Sequence, residues 1–321
     1  MPRIETTLTR LLGIDHPILT APMTGTVGGV LANAVSHAGA LGIIAPGPDI
    51  EIIRRESAAA GNARIGVGFI TWRLDSNPAA LDAALDAGPE AIMLSFGDST
   101  AYFPRIKSAG RKIICQVQTL AMARAAAAAG ADIIIAQGRD AGGHGGALRG
   151  TLGLVPAVVD AVSPIPVVAA GGIADGRGLA AALALGAAGV SMGTRFVATR
   201  EALWSDPRKA ALVAGRTDET EQSRLFDTLS DPDWPREFPA RYLRNATSAQ
   251  WAGREAELEA KAEAERRLYA EIPPDDVERR LVLAGEGVDL ITGVLSAREV
   301  VERTVAEAIA ALRGGAALVR D

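Results

Sequence analysis

The stretch Gln137-Gly-Arg-Asp-Ala-Gly-Gly-His-Gly-Gly146 sets one titratable ring among residues without side chains, with Gly142 and Gly143 before His144 and Gly145 and Gly146 after it. Glycine lets backbone come close to a ligand, and an imidazole, with an ordinary pKa of about 6.5, can take or give a proton near neutral pH. Two kinds of chemistry are open to it, general-base catalysis and hydrogen-bond donation. Taken alone, the segment also fits a Gly-rich turn with an incidental histidine. The other titratable candidates have blander settings. His16 and His37 lie before the first apolar run and near the end of the first helical pattern, where capping or packing is expected. Cys115 sits inside an apolar run, where a buried thiol is inert. Asp140 is expected to orient the loop backbone or to pair with Arg139.

The surrounding elements decide between these readings. Short apolar runs recur at 18–21, 41–45, 65–70, 91–95, 113–117, 133–136, 166–170 and 189–192, and each is nearly continuous rather than alternating. That is the signature of parallel strands covered on both faces. Ala-rich helical patterns lie between them at about 28–38, 49–60, 78–87, 99–109, 120–129, 152–162 and 176–185, several ending at glycine. Eight such βα units predict an α/β fold, a TIM (β/α)8 barrel. The competing doubly wound sheet lacks its G-x-G-x-x-G fingerprint, since the first run leads into Ala21-Pro22-Met23-Thr24. Residues 201–292 break the rhythm with Pro, Asp, Trp and Arg and then a charged helix over 254–267. The organisation expected is a barrel of residues 1–200 and 293–321 with a mostly helical insertion or lid, 201–292, after the eighth strand. The aromatics of the insertion, Trp204, Phe226, Trp234, Phe238, Tyr242, Trp251 and Tyr269, either cover the barrel mouth or form a small core of their own. The helical spacing of 295–312 supplies the delayed eighth helix.

In such a barrel the residues just after each strand form the working face. These are Pro22-Met23-Thr24-Gly25 after the first strand, Gln137 to Gly146 after the sixth, Gly171-Gly172-Ile173 after the seventh and Gly193-Thr194-Arg195 after the eighth. The last two are the positions that most often build a phosphate site from backbone N–H groups, and Asp175 is a natural N-cap beside them. A phosphate-bearing ligand is the expectation.

At this point the residues carry a family resemblance. Ala21-Pro22-Met23, Gln137 to His144, Pro166-Val-Val-Ala-Ala-Gly-Gly-Ile173 and Gly189-Val-Ser-Met-Gly-Thr-Arg-Phe196 resemble the nitronate monooxygenase (2-nitropropane dioxygenase) family of FMN-dependent barrels. The likeness covers about 10–200 and resumes at Ala284-Gly-Glu-Gly287. It implies FMN with its phosphate on Gly171, Gly172, Gly193 and Thr194, and its ring near Ala21, Pro22, Met23, Gln137, Gly142 and Gly143. Gly68, Ile173, Ser191 and Met192 complete the implied cofactor set, and His144 is the implied catalytic residue on the substrate side. Many relatives carry Asn where this chain has Gly68, which removes one side-chain contact to the flavin. The family's Ala-Gly-Gln-Gly is here Ala284-Gly285-Glu286-Gly287, which places a negative charge near the mouth. The implied reaction is oxidation of alkyl nitronates by O2 to a carbonyl compound and nitrite, extended to nitroalkanes where a base removes the α-proton. Flavin reductases of the same architecture, which use NAD(P)H on enoyl-acyl-carrier-protein or quinone substrates, share the Ala-Gly-Gly-His loop and are the alternative. A non-catalytic flavin-binding barrel is the second.

Bulk properties narrow the partners. With a formal net charge of -5 the chain has no basic patch suited to nucleic acid, and no stretch approaches about 18 uncharged apolar residues, the length a membrane span needs. One cysteine excludes a disulfide framework and a Cys-based zinc cluster, and no metal is expected. A reducing cytoplasm, a small-molecule substrate and O2 fit these features, and a homodimer stays open.

Overall fold

The computed structural model describes residues 3–319, so residues 1, 2, 320 and 321, counted with the barrel from the sequence, lie outside the described residues. Eight parallel strands form the ring: β1 (Ile18–Thr20), β2 (Gly42–Ile44), β3 (Ile65–Ile70), β4 (Ala91–Ser95), β5 (Lys112–Val117), β6 (Ile133–Gln137) and, after the two-residue β7 (Gly143–His144) outside the ring, β8 (Val167–Ala170) and β9 (Gly189–Met192). Their order is β1-β9-β8-β6-β5-β4-β3-β2, and a parallel bridge between Leu19 and Leu41 closes it. This is a TIM barrel, as the uninterrupted apolar runs predict.

Continuous apolar strands are explained by the two layers they join. Alternate residues point inward, where Leu19, Ile43, Met93, Ile114, Ile135 and Val168 meet in one cluster. Their neighbours Ile18, Ile44, Leu94, Cys115, Ile134 and Val190 face outward against the helices. The floor of the barrel is a helix, Thr7–Leu12, started by a capping box on Thr6 and stopped at left-handed Gly13 (φ 62°). Six residues do not hold a helix in isolation. Its Leu8 and Leu12 are fully buried in the inner cluster, each worth about 1.5–3 kcal/mol, and that burial holds it in place.

The helix Ala297–Ala316, opened by a capping box of Ser296 and Glu299, packs against Gly176–Ala184 and Gly29–His37 in the eighth helical position. No helix among the described residues is long and apolar enough to cross a membrane.

Between β9 and that last helix, the chain is mostly helical, as expected from sequence, with two short strands that the sequence reading did not include. It contains helices Asp206–Ala214, Leu225–Ser230, Ala246–Trp251 and Glu255–Glu271, and also strands β10 (Thr220–Ser223) and β11 (Ala240–Leu243). These two pair antiparallel, and β11 pairs in turn with β7, aligning Ala240 with His144 and Arg241 with Gly143. Thr-Glu-Gln-Ser and a Gly-His pair have no strand-like apolar alternation, so only the tertiary pairing makes them a sheet.

Candidate active site

The C-terminal ends of the strands enclose a cavity of about 570 Å³. Ala21, Pro22 and Met23 line it after β1, and Gly68 lines it from β3. Gln137, Gly142, Gly143 and His144 line it around β6 and β7. Gly171, Gly172 and Ile173 follow β8, and Ser191, Gly193 and Thr194 belong to the end of β9. Of the residues expected from sequence, Met192 is the exception. Side chains alternate along a strand, so with Ser191 facing in, Met192 faces out beside Val190 in the helix layer.

His144 is held from several directions. Its backbone is paired to Ala240, and its carbonyl accepts the Gln137 side-chain amide at 3.1 Å. The Gln137 carbonyl oxygen in turn accepts from Gln116 Nε2 at 3.2 Å and Gln118 Nε2 at 2.8 Å. Gln137 therefore works as a brace for the histidine as well as a cavity wall. The imidazole Nε2 lies 2.7 Å from Asp227 Oδ1, and the ring stacks on Trp234 with centroids 3.5 Å apart and planes 11° apart. The Asp227 side chain is 2% exposed, and its other oxygen makes no hydrogen bond, the nearest cation being Arg224 at 3.7 Å.

The opposite wall is built from backbone. Gly171 and Gly172 have φ of 112° and 67°, which side chains avoid, and Asp175 caps the next helix by accepting from the amides of Arg177 and Gly178. A Cβ on Gly142 would stand 2.5 Å from the Gly285 nitrogen, so the two loops interlock only because both are glycine. Thr194 Oγ1 accepts from Gly285 N at 3.0 Å and keeps its own hydrogen to give. Beside it, Gly193 starts the short helix Thr194–Val197 with no side-chain cap, and the Ser191 hydroxyl is buried without a partner. Uncapped amides, an orphan hydroxyl and a glycine cradle are the donor set an anionic, planar cofactor needs, so the residues present fit a flavin nucleotide.

Several sequence expectations are sharpened here. Glu286 points away from the cavity into an ion pair with buried Arg241 at 2.9 Å, so it brings no free charge to the mouth. Asp140 orients backbone, accepting from Thr151 N at the start of the helix Thr151–Val162, and is not paired with Arg139 among the described ion pairs. Burial pushes the Cys115 thiol up to about 11, as an inert thiol requires. His16 is buried, and burial lowers its pKa, while His37 bonds the Asn33 carbonyl at the end of its helix.

The insertion's aromatics divide between the two roles. Phe226, Tyr242, Trp251 and Tyr269 form a separate small core. Trp234 and Phe238 instead pack edge-on against Phe96 of the barrel, with centroids 5.2 and 5.1 Å away, and Trp204 lines the cavity. Asp231 pairs with Arg73 across the same mouth. The sequence reading missed Asp227, Arg73 and Gln116, and left the place of Trp234 open between the mouth and a separate core. A glutamine near the end of an apolar strand was a usable signal for Gln116, whereas Asp227 lies 83 residues from its histidine with nothing local to mark it.

The family model for nitronate monooxygenase matches residues 57–307. The nitronate monooxygenase npaC of Metarhizium robertsii is 37% identical over 75% of this chain and 75% of its own length. A (3aS,4S,5R,7aS)-5-hydroxy-7a-methyl-1-oxo-octahydro-1H-indene-4-carboxyl-CoA dehydrogenase of Mycobacterium tuberculosis is 31% identical over 99% of both. Among solved structures, FabK from Thermotoga maritima superposes with a TM-score of 0.85 at 33% identity, covering 98% of this chain and 100% of that one. A barrel whose glycine loops frame a cavity at the strand ends, with a braced histidine at its edge, is what these matches share a sequence with: the chain belongs to the nitronate monooxygenase family and is a flavin-dependent oxidoreductase.

Proposed function

We propose that the protein binds FMN and uses it to oxidise alkyl nitronates with O2, releasing a carbonyl compound and nitrite. The observation that carries this reading is His144, braced at the edge of a cavity whose other wall is glycine backbone and uncapped amides. Atoms balance as two R–CH=NO2⁻ and one O2 giving two R–CHO and two NO2⁻. FMN, when bound, supplies the electron acceptor for this chemistry. The chain's residues do the rest. Gly171, Gly172, Gly193 and Thr194 would hold the phosphate through N–H groups and one hydroxyl. Ala21, Pro22, Met23, Gly142 and Gly143, with Gln137 behind them, would frame the ring, the Ser191 hydroxyl would donate to it, and Gly68 and Ile173 would complete its walls. His144 sits where a substrate in the cavity meets a proton acceptor or donor, and Trp234 with Phe238 excludes water from that side.

A second reading, an NAD(P)H-linked reductase or a dehydrogenase of CoA thioesters, is favoured by one fact: the Mycobacterium dehydrogenase matches along 99% of both chains. One experiment separates the two. The flavin-loaded protein is titrated anaerobically, first with ethyl nitronate and then with NADH and NADPH, while the flavin absorbance is followed. Bleaching by the nitronate, with nitrite released on admitting air, supports the proposal. Bleaching by a pyridine nucleotide alone replaces it with the second reading.

A further inference from the structure

His144 has two ring nitrogens, and Asp227 takes one of them. A carboxylate can only accept, so at 2.7 Å the neutral ring carries its proton on Nε2 and presents its lone pair at Nδ1, which has no protein partner among the described residues. The ring plane is fixed as well, by Trp234 stacked at 3.5 Å and by the backbone pairing of His144 to Ala240. Asp227 is buried, and its second oxygen makes no hydrogen bond and faces only the Arg224 guanidinium at 3.7 Å, a placement that costs stability.

We propose that Asp227 is a positioning residue that commits His144 to the role of base, so that the enzyme accepts neutral nitroalkanes as well as nitronates. This rests on the nitronate reading above. In the step assigned to the pair, the α-C–H bond of R–CH2–NO2 breaks and its electron pair moves into the C=N bond of R–CH=NO2⁻. The proton goes to Nδ1, and the imidazolium that forms is stabilised by the Asp227 carboxylate. The charges around the ring are few. Arg224, the N-cap residue of the helix that carries Asp227, stands 3.7 Å from it. Arg241, on the strand beside His144, is neutralised by Glu286, and Arg73 from the barrel is paired with Asp231. The Tyr242 phenol bonds Ser223, and burial holds its pKa high, so it stays uncharged. Among the described residues, Asp227 is thus the one carboxylate hydrogen-bonded to the ring.

The test compares the flavin-loaded parent with Asp227→Asn, using neutral nitroethane and preformed ethyl nitronate as substrates. Loss of the oriented base should lower kcat for nitroethane by about 10²-fold, the ordinary size of a general-base contribution, and leave the nitronate within about 3-fold. Equal falls on both substrates would overturn the assignment. A separate readout needs no turnover: ¹⁵N-histidine spectra of the parent, with the ring resonances assigned by His144→Gln, should show Nε2 protonated. An Nδ1-protonated ring sinks the proposal even if Asp227→Asn fails to fold. A parent that releases nitrite from neither substrate overturns the nitronate reading instead, and the spectra still decide the role of Asp227.

Discussion

A Cβ on Gly68 would stand 2.4 Å from the Cβ of Pro22, closer than two carbons can pack. Pro22 already occupies the space above β3, so the glycine is the steric partner of the proline rather than only the site of a lost side-chain contact. Gly68→Ala overpacks this seam and should cost about 1–3 kcal/mol, visible as a lower Tm, together with weaker flavin retention because both residues line the cavity. A variant with the parent's Tm and flavin content would show that the seam yields without strain.

His144→Ala should keep the flavin bound, since the glycine wall is untouched, and lose about 10²-fold or more in turnover on nitroethane. It also strands the buried Asp227 carboxylate, so stability should fall by about 1–3 kcal/mol. Flavin content, nitrite release and thermal unfolding of one preparation check all three. Loss of the flavin would move His144 from the substrate side to the cofactor.

Charge and bulk can be separated at Gly193, where an added Cβ meets only Met23 and Ala21, at 3.5 and 3.6 Å. Gly193→Ala should therefore purify with flavin, whereas Gly193→Asp puts a carboxylate against the phosphate position and should purify without it. Equal flavin content in the two variants would rule out a phosphate there.

At the barrel floor, Arg64 bonds Glu90 and also donates to the carbonyls of Leu12 and Gly13, tying down the first helix. The hydrogen bond from Arg64 is the main cause that holds the Glu90 pKa below its ordinary 4.5. A depressed carboxylate stabilises the fold above its unfolded pKa, and that contribution fades as pH falls through the lower folded value. The pair is partly exposed, so its worth is no more than about 1 kcal/mol. Comparing Tm for Glu90→Gln and the parent from pH 7 to pH 3 should show a small deficit at neutral pH that closes in acid. A constant gap would mean that the charge is not what the pair contributes.

The barrel was legible in the chain because its signals are local. Continuous apolar runs at a spacing of about 20 to 25 residues, longer only between the sixth and the seventh, with glycines closing the helices, specify each βα unit before any long contact forms. The cavity wall was legible for the same reason, since residues following a strand end must lie at the barrel mouth. Met192 shows the limit of that rule: being next to a site residue along a strand puts a side chain on the other face.

What only the tertiary structure decided is everything that reaches the site from 201–292. Strand β11 pairs with Gly143 and His144, the helix Leu225–Ser230 carries Asp227 to the imidazole, and Trp234 lies on its face. None of these contacts has a period or a fixed spacing in the sequence. Each is set by how a strand of low intrinsic preference finds a partner and how a short helix docks, and those are properties of the assembled core. The sequence by itself determined that a histidine would stand at the mouth of a glycine-lined barrel. Which of its nitrogens is left without a protein partner was decided by a carboxylate 83 residues away, because a hydrogen bond depends on distance in space and not along the chain.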